Sequence, residues 1–102
     1  MRLEHESVEK LKSSVLNIIG KYLNLNEYKV FFFGSRITGT SDEYSDIDIG
    51  IEGPSEISLS VIGEIRDELN KLPMLYKIDV IDFTQTTDRF KEVAKNKIEY
   101  VQ

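Results

Sequence analysis

Three aspartates and a glycine–serine pair are the residues of this sequence that point most directly to chemistry. Asp46 and Asp48 stand two positions apart, Asp79 follows in a later acidic stretch, and Gly34-Ser35 precedes all three. Carboxylates bind hard divalent cations, and a glycine lets a phosphate approach the backbone closely. Carboxylates repel phosphates unless a cation such as Mg²⁺ lies between them, so the combination indicates metal-dependent chemistry on a nucleoside triphosphate.

The spacing of the first two aspartates predicts which way they face. Asp46 and Asp48 alternate with Ile47 and Ile49, which predicts a strand over residues 46–51. Residues two apart on a strand share a face, so both carboxylates point one way and both isoleucines can join the core. A strand with one solvated face is the alternative explanation, and it stays open because Asp-x-Asp is a common pattern.

Two further aspartates, Asp79 and Asp82, lie in a third predicted strand over residues 76–83 and face opposite ways. A carboxylate between apolar neighbours is costly to bury without a cation or hydrogen-bond donor. A strand-end aspartate that bonds a loop backbone is the alternative for either residue, but it suits Asp79 less because Asp79 lies deeper in the run. We therefore predict Asp79 rather than Asp82 as the third metal ligand, and Asp82 as either a structural residue or a support for a metal ligand.

The glycine–serine pair follows a predicted strand over residues 28–33. Ser35 could cap a short helix at 36–40, and the N-terminus of a helix favours an anion such as phosphate. Arg36 could add a charged contact to the same phosphate. A strand that simply ends in a turn, with Arg36 on the surface, is the alternative.

Helices and strands alternate around these residues. Apolar residues at helical spacing predict one amphipathic helix over 5–23 and another over 56–71. Thr87-Asp88 predicts the start of a last helix, and Tyr100-Val101 is expected to add a small strand or to dock the tail. This order predicts an α/β (α+β) fold in which helices cover a small mixed sheet of three or more strands.

Length and composition narrow the class of protein. The sequence has 102 residues, which predicts a single domain over 1–102. A net charge of -5 disfavours a strong nucleic-acid surface, which needs clustered Lys and Arg. There is no cysteine, no apolar run of the roughly 20 residues that cross a bilayer, and no signal-peptide pattern. We therefore predict a cytoplasmic protein that does not enter membranes.

Gly34-Ser35, ten residues and then Asp46-Ile47-Asp48 resemble the signature of the DNA polymerase β-like nucleotidyltransferase superfamily. The flanking residues and the later stretch at 78–82 are similar to the minimal nucleotidyltransferases in particular. The resemblance implies the nucleotidyltransferase fold and an enzyme that transfers a nucleoside monophosphate, AMP from ATP, to a hydroxyl and releases pyrophosphate. Relatives often carry a second basic residue where this chain has Ile37-Thr38. The resemblance therefore implies that this chain lacks one positive contact to phosphate or substrate.

The same resemblance implies a role for each candidate residue. Asp46 and Asp48 would bind two Mg²⁺ ions, and Asp79 would bind the catalytic one and help to deprotonate the attacking hydroxyl. Gly34 and Ser35 would hold the terminal phosphates of the nucleotide. The protein would contribute positioning and charge stabilisation rather than covalent chemistry.

Larger members of the superfamily bind their acceptor with extra domains, and 102 residues leave no room for one, so we expect another molecule to present the acceptor. Minimal nucleotidyltransferases of this type are often paired with an all-helical HEPN protein that resembles a ribonuclease toxin. The resemblance implies a hetero-oligomeric antitoxin that transfers AMP to a tyrosine of that toxin. Two alternatives stay open: a module that neutralises its partner by contact alone, and a transferase acting on a small molecule or an RNA end. The complete set of Asp46, Asp48 and Asp79 favours the enzyme.

Overall fold

A four-stranded sheet forms the centre of the described chain. The computed structural model describes residues 7–33, 47–73, 76–85, 88, 92 and 98–101. Its elements are helix α1 (Val8–Ile19), strand β1 (Lys29–Phe33), strand β2 (Ile47–Glu52), helix α2 (Leu59–Leu69), strand β3 (Ile78–Asp82) and strand β4 (Glu99–Tyr100). The strand order is β3-β2-β1-β4. Strand β1 runs antiparallel to β2 and β4, and β2 runs parallel to β3. The predicted α+β class with a mixed sheet is confirmed.

Helix α2 provides the connection that parallel strands require. Two neighbouring parallel strands cannot be joined by a tight turn, so the chain must cross over the sheet between them. Here β2, α2 and β3 make that unit, and β2 and β3 pair residue for residue from Ile47↔Ile78 to Ile51↔Asp82. This register decides which side chains of the two strands are neighbours.

Both described helices cover the same face of the sheet. Alternate residues of each central strand point to this face, as the period of two predicted for Ile47 and Ile49 requires. Helices α1 and α2 add apolar residues at helical spacing, and all of these side chains are buried. The core between the helices and the sheet contains Leu11, Val15, Ile19, Val30, Phe32, Ile47, Ile49, Ile51, Ile62, Ile65, Leu69, Ile78 and Val80.

The opposite face of the sheet carries aromatic rings. Phe31 and Phe33 of β1 contact Phe83, with ring centroids 5.5 and 5.4 Å from it. Gly50 of β2 pairs with Phe31, and the absence of a side chain there leaves the space that the rings of Phe31 and Phe83 occupy. Asp48 and Asp79 belong to this same face, since they alternate with the residues that point to the helices.

Helix α1 is shorter than the sequence predicts. The apolar pattern predicts a helix to residue 23, but α1 ends at Ile19 and Gly20 follows as its C-cap. The amides of Lys21 and Tyr22 then bond carbonyls three residues back, which tightens the chain into a turn. Tyr22 and Leu23 still pack against the core from this turn, and this explains why they continued the apolar pattern. At its start Ser7 is the N-cap, while predicted residues 5 and 6 lie outside the described chain.

The other predicted elements are confirmed where they are described, with ends that differ by up to three residues. Helix α2 was predicted over 56–71 and starts after the N-cap Ser58, whose hydroxyl accepts from the amide of Val61 at 3.3 Å. The strands predicted over 28–33 and 76–83 are β1 and β3. The strand predicted over 46–51 is β2, which extends one residue further to Glu52, while residue 46 is outside the described chain. Of the tail, Tyr100 belongs to β4, and Val101 follows this strand as a buried residue. The predicted helix at 36–40 lies outside the described residues, as does almost all of the last helix.

The turn after α1 is tied to α2 by polar contacts. Glu68 of α2 accepts hydrogen bonds from the Tyr22 hydroxyl and from the Lys21 ammonium group. The hydrogen bond to Glu68 raises the pKa of Tyr22 to about 12, and the two donors lower the pKa of Glu68. These contacts therefore link the two helices at the rim of the core.

The outer edge of β3 is bonded by side chains of α2. Asn70 donates to the carbonyl of Ile78 at 2.8 Å and accepts from the amide of Ile78 at 2.9 Å. Arg66, one turn earlier, donates from Nη2 to the carbonyl of Val80 at 3.0 Å. Backbone groups at a sheet edge need such partners when no further strand pairs with them.

Asn70→Ala is expected to lower the free energy of unfolding by about 1–2 kcal/mol, because both hydrogen bonds to Ile78 are lost at a partly buried edge. Chemical denaturation in urea followed by circular dichroism measures this change. The matched control is Asn17→Ala on the exposed side of α1, where alanine is the better helix former and stability should be unchanged or slightly higher. Equal stability of Asn70→Ala and the wild type would contradict the role of these two bonds.

Among the described residues, none of the helices combines the length and the apolar character needed to traverse a bilayer.

Candidate functional site

Two of the predicted ligands meet on neighbouring strands. Asp48 of β2 is the direct partner of Asp79 in the parallel pairing of β2 and β3. Paired residues of adjacent strands lie about 4.8 Å apart and present their side chains on the same face. The two carboxylates are therefore neighbours, although a whole helix separates them in the chain. Both residues are only partly buried, and the side chain of Asp79 is 43% exposed.

The end of β1 lies beside the same pair. Phe33, the last residue of β1, pairs with Asp48 across the antiparallel ladder. The row across the sheet at this level is thus Phe33, Asp48 and Asp79. The described residues that adjoin the stretch 34–46 are Phe33 and Ile47, and both lie at this end of the sheet.

Four predicted site residues fall in the stretch 34–46, outside the described residues. They are Gly34, Ser35 and Arg36, predicted to hold phosphate, and Asp46, predicted as a metal ligand. Their roles stay predictions. The described chain brings together Asp48 and Asp79 from the predicted set.

Asp79 is held by a guanidinium group and by a backbone amide. Arg66 Nε donates to Asp79 Oδ1 at 3.2 Å, and the amide of Val80 donates to the same oxygen at 2.9 Å. Both contacts use Oδ1, so they leave the second oxygen, Oδ2, to other partners. The side chains of Arg66 and Asp79 are 42% and 43% exposed, so solvent screens this ion pair.

Asp82 has a different environment. Its Oδ1 accepts from the amide of Thr84 at 2.8 Å, and its Oδ2 accepts from the amide of Ile57 at 3.4 Å. It pairs with Ile51 and so lies on the helix-facing side of the sheet, opposite to Asp79. These bonds hold the loop before α2 against the end of β3, which agrees with the structural alternative of the two predicted for Asp82.

The donor chemistry of the Asp48–Asp79 pair fits a hard cation. Two carboxylates at neighbouring positions repel each other, and a bound cation or a basic side chain relieves that repulsion. Carboxylate oxygens are the ligands that Mg²⁺ takes from proteins, commonly one or two of them together with phosphate oxygens. Within the residues that the structure describes, which exclude Asp46, no group of three acidic or histidine side chains converges on a metal-binding point.

Arg66 is the contact that the sequence analysis missed. It follows the buried Ile65 on α2, at the border of the apolar stripe of the helix. A long basic side chain at such a border can reach the edge of a sheet while its stem packs on apolar surface. The sequence does not say which acidic residue it meets, because that depends on the placement of α2 over β3.

A surface groove of about 380 Å³ lies elsewhere, at the start of β1. Residues of the turn before β1 line it together with β1 and β4 side chains: Leu25, Asn26, Glu27, Lys29 and Tyr100. Lys29 is at the opposite end of β1 from Phe33. The groove is thus distinct from the Asp48–Asp79 pair.

Comparison with protein families decides the assignment. Residues 15–100 match the family model described as Polymerase beta, Nucleotidyltransferase. This chain belongs to that nucleotidyltransferase family. The match begins within α1 and spans α2 and all four strands, so it includes both members of the Asp48–Asp79 pair. The enzyme class predicted from the sequence, nucleotidyltransferase, is confirmed.

One curated relative and two solved structures resemble this chain over most of its length. A protein of Haemophilus influenzae named probable protein adenylyltransferase MntA is 24% identical over 94 residues, which cover 90% of this chain and 82% of the relative. A chain from a crystal structure of a toxin–antitoxin with AMP-PNP superimposes with a TM-score of 0.72 at 15% identity, covering 89% of this chain and 72% of that one.

The second solved structure is a complex of a tri-AMPylated HEPN toxin of Shewanella oneidensis with an MNT antitoxin. A chain of that complex superimposes with a TM-score of 0.68 at 14% identity and covers 92% of this chain and 71% of its own length. At these identities the two solved structures establish the shared fold of this chain.

Proposed function

We propose that this chain is a Mg²⁺-dependent protein adenylyltransferase that transfers AMP from ATP to a tyrosine hydroxyl of a HEPN ribonuclease toxin and so acts as its antitoxin. In this proposal residues 1–102 act as one nucleotidyltransferase domain in the cytoplasm, in a hetero-oligomer with the toxin. The observation that carries the proposal is the direct pairing of Asp48 with Asp79, both only partly buried, in a chain of the nucleotidyltransferase family.

The relatives support the choice of donor and partner. The Haemophilus influenzae protein is named as an adenylyltransferase, and one solved structure contains AMP-PNP, an analogue of ATP. The other contains an AMPylated HEPN toxin with its antitoxin. A donor of AMP and a helical toxin as acceptor are therefore the chemistry that we assign to this chain.

The residues divide the work of the reaction. Asp46, Asp48 and Asp79 would hold Mg²⁺, while Gly34, Ser35 and Arg36 would hold the phosphates of ATP. Mg²⁺ held by these residues would neutralise phosphate charge and would stabilise both the attacking and the leaving oxygen. The hydroxyl oxygen forms a bond to the α-phosphorus, and the bond from that phosphorus to the oxygen bridging to the β-phosphate breaks. Pyrophosphate leaves, and the hydroxyl proton passes to Asp79.

The experiment uses the chain together with its HEPN partner. The two proteins are incubated with Mg²⁺ and ATP labelled in the α-phosphate, and the mass of the partner is measured. We expect one or more AMP additions on tyrosine of the partner. In a reaction with EDTA in place of free Mg²⁺, we expect no addition. A partner that gains label equally well in EDTA would exclude metal dependence, and label on a residue other than tyrosine would correct the acceptor.

A contact inhibitor is the second candidate, because both solved relatives come from toxin–antitoxin structures. A module of this kind would suppress the ribonuclease activity of the toxin without ATP and leave its mass unchanged. Suppression that needs ATP and Mg²⁺ and persists after the chain is removed supports the transferase. Suppression that is lost on removal of the chain supports contact alone.

A further inference from the structure

We propose that Arg66 is a positioning residue for Asp79, fixing one carboxylate oxygen so that the other faces the metal and nucleotide. This inference rests on the proposed function, since it assumes that Asp79 is a metal ligand. It concerns a residue of α2, an element that contributes none of the predicted ligands. The structure brings Arg66 to the site by the crossover between β2 and β3.

The guanidinium group makes two contacts with the same strand. Arg66 Nε donates to Asp79 Oδ1 at 3.2 Å, and Arg66 Nη2 donates to the carbonyl of Val80 at 3.0 Å. A planar guanidinium presents its donors in a fixed fork, so the contact to the backbone determines where the contact to the carboxylate lies. The rotamer of Asp79 is thereby coupled to the backbone of its own strand.

Asp79 Oδ1 is further restrained by the amide of Val80 at 2.9 Å. Two donors on one oxygen fix the plane of the carboxylate and leave Oδ2 as the oxygen directed to other ligands. Asn70, one turn after Arg66, bonds both backbone groups of Ile78. These bonds of Asn70 secure the strand edge at Ile78, whereas the carboxylate of Asp79 is held by Arg66 and by the amide of Val80.

The positive charge of Arg66 affects both the repulsion between Asp48 and Asp79 and the binding of a metal ion. Asp48 and Asp79 are direct neighbours, so their negative charges repel each other when no cation is bound. Arg66 supplies a positive charge at the outer edge of this pair. Its own repulsion of a metal ion is weak, because the ion pair is more than 40% exposed on both sides and solvent screens it. Positioning should therefore outweigh repulsion, and residues that orient metal ligands typically contribute 10–100-fold to metal affinity or activity.

The decisive measurement is the affinity of the full chain for Mn²⁺, a spectroscopic substitute for Mg²⁺, in the presence of a nonhydrolysable ATP analogue. Electron paramagnetic resonance counts the free Mn²⁺ and does not depend on turnover. Arg66→Met removes both guanidinium contacts and keeps a stem of similar length. We expect Mn²⁺ affinity about 10–100-fold lower than in the wild type. Arg66→Lys keeps the positive charge but loses the paired donors of the guanidinium group. Its Mn²⁺ affinity should therefore lie between those of the wild type and Arg66→Met.

Two control variants separate positioning from general damage. Lys71→Met removes a positive charge just after the C-cap of α2, where the side chain is exposed, and should leave Mn²⁺ affinity unchanged. Asn70→Ala removes the neighbouring contact to β3 and should lower stability while Mn²⁺ affinity stays at the wild-type value. If Arg66→Met melts below the assay temperature, Arg66→Lys takes its place in the comparison.

Asp79→Asn distinguishes failure of this inference from failure of the proposed function. If Asp79→Asn binds Mn²⁺ weakly and Arg66→Met binds it as the wild type does, the positioning role is wrong and the metal site stands. If Asp79→Asn binds Mn²⁺ as tightly as the wild type, Asp79 is not a ligand and both ideas are overturned. Weak binding by both variants, with normal binding by Asn70→Ala, supports the positioning role.

Discussion

Asp48→Asn is expected to lower the rate of AMP transfer by about 100-fold or more while the fold stays intact. Asp48 is the neighbour of Asp79 on the same face of the sheet, so the substitution removes one of two adjacent negative charges. Asparagine keeps the shape of the side chain and one oxygen but loses the charge that attracts a divalent cation. Removing a single preorganised electrostatic contact from an active site commonly costs 10²–10³-fold in rate.

Initial rates of labelling measured against Mg²⁺ concentration test this prediction. The matched control is Asp67→Asn, which makes the same change of charge at an exposed position of α2 and should leave the rate unchanged. Thermal melts of both variants show whether the fold is retained. A variant that transfers AMP at the wild-type rate would remove Asp48 from the proposed metal site.

Gly50→Ala is expected to destabilise the protein by about 1–3 kcal/mol, the usual cost of overpacking a filled core. A Cβ atom at this position would lie 2.3 Å from Cζ of Phe31 and 2.8 Å from Cε2 of Phe83. Both rings are almost completely buried, at 0% and 1% exposure, so they have little freedom to move aside. The aromatic packing on this face therefore requires a glycine in the middle of β2.

Gly63→Ala is the matched control, and we expect it to raise the free energy of unfolding where Gly50→Ala lowers it. Gly63 lies inside α2, and a Cβ atom there would meet nothing within 4 Å. Alanine is favoured over glycine in a helix by about 0.8–1.0 kcal/mol, so this variant should be more stable than the wild type. Urea denaturation of the two variants, analysed with a common m-value, measures both changes. Equal stability of Gly50→Ala and the wild type would show that the rings do not depend on the open space at Gly50.

The sequence predicts which face of the sheet each functional residue lies on. It does not predict which residues lie beside it on the neighbouring strands. Alternation along β2 correctly places Ile47 and Ile49 in the core, and therefore Asp48 on the other face. The sequence pattern contains nothing that sets Asp48 opposite Asp79 rather than one or two residues away. That register arises when α2 packs over the sheet, and it is a property of the tertiary fold.

Errors at the ends of elements have a related cause. Tyr22 and Leu23 fit the apolar pattern of α1 because they are partly buried against the same core, yet they belong to a turn. Burial and helical conformation are separate properties, and a pattern of hydrophobicity reports the first. Arg66 was missed for the converse reason, since its partner is identified by distance in space and no feature of the sequence encodes that distance.

The bonds that Asn70 and Arg66 make to β3 have a consequence for association between molecules. An uncovered strand at the side of a sheet is a template on which another chain can form a β-ladder, and proteins must prevent this. Here the polar side chains of α2 occupy the carbonyls of Ile78 and Val80 and the amide of Ile78. Local opening of α2 would release these three backbone groups together. The event that separates Asp79 from Arg66 would therefore also leave the edge of β3 open to pairing with a strand of another molecule.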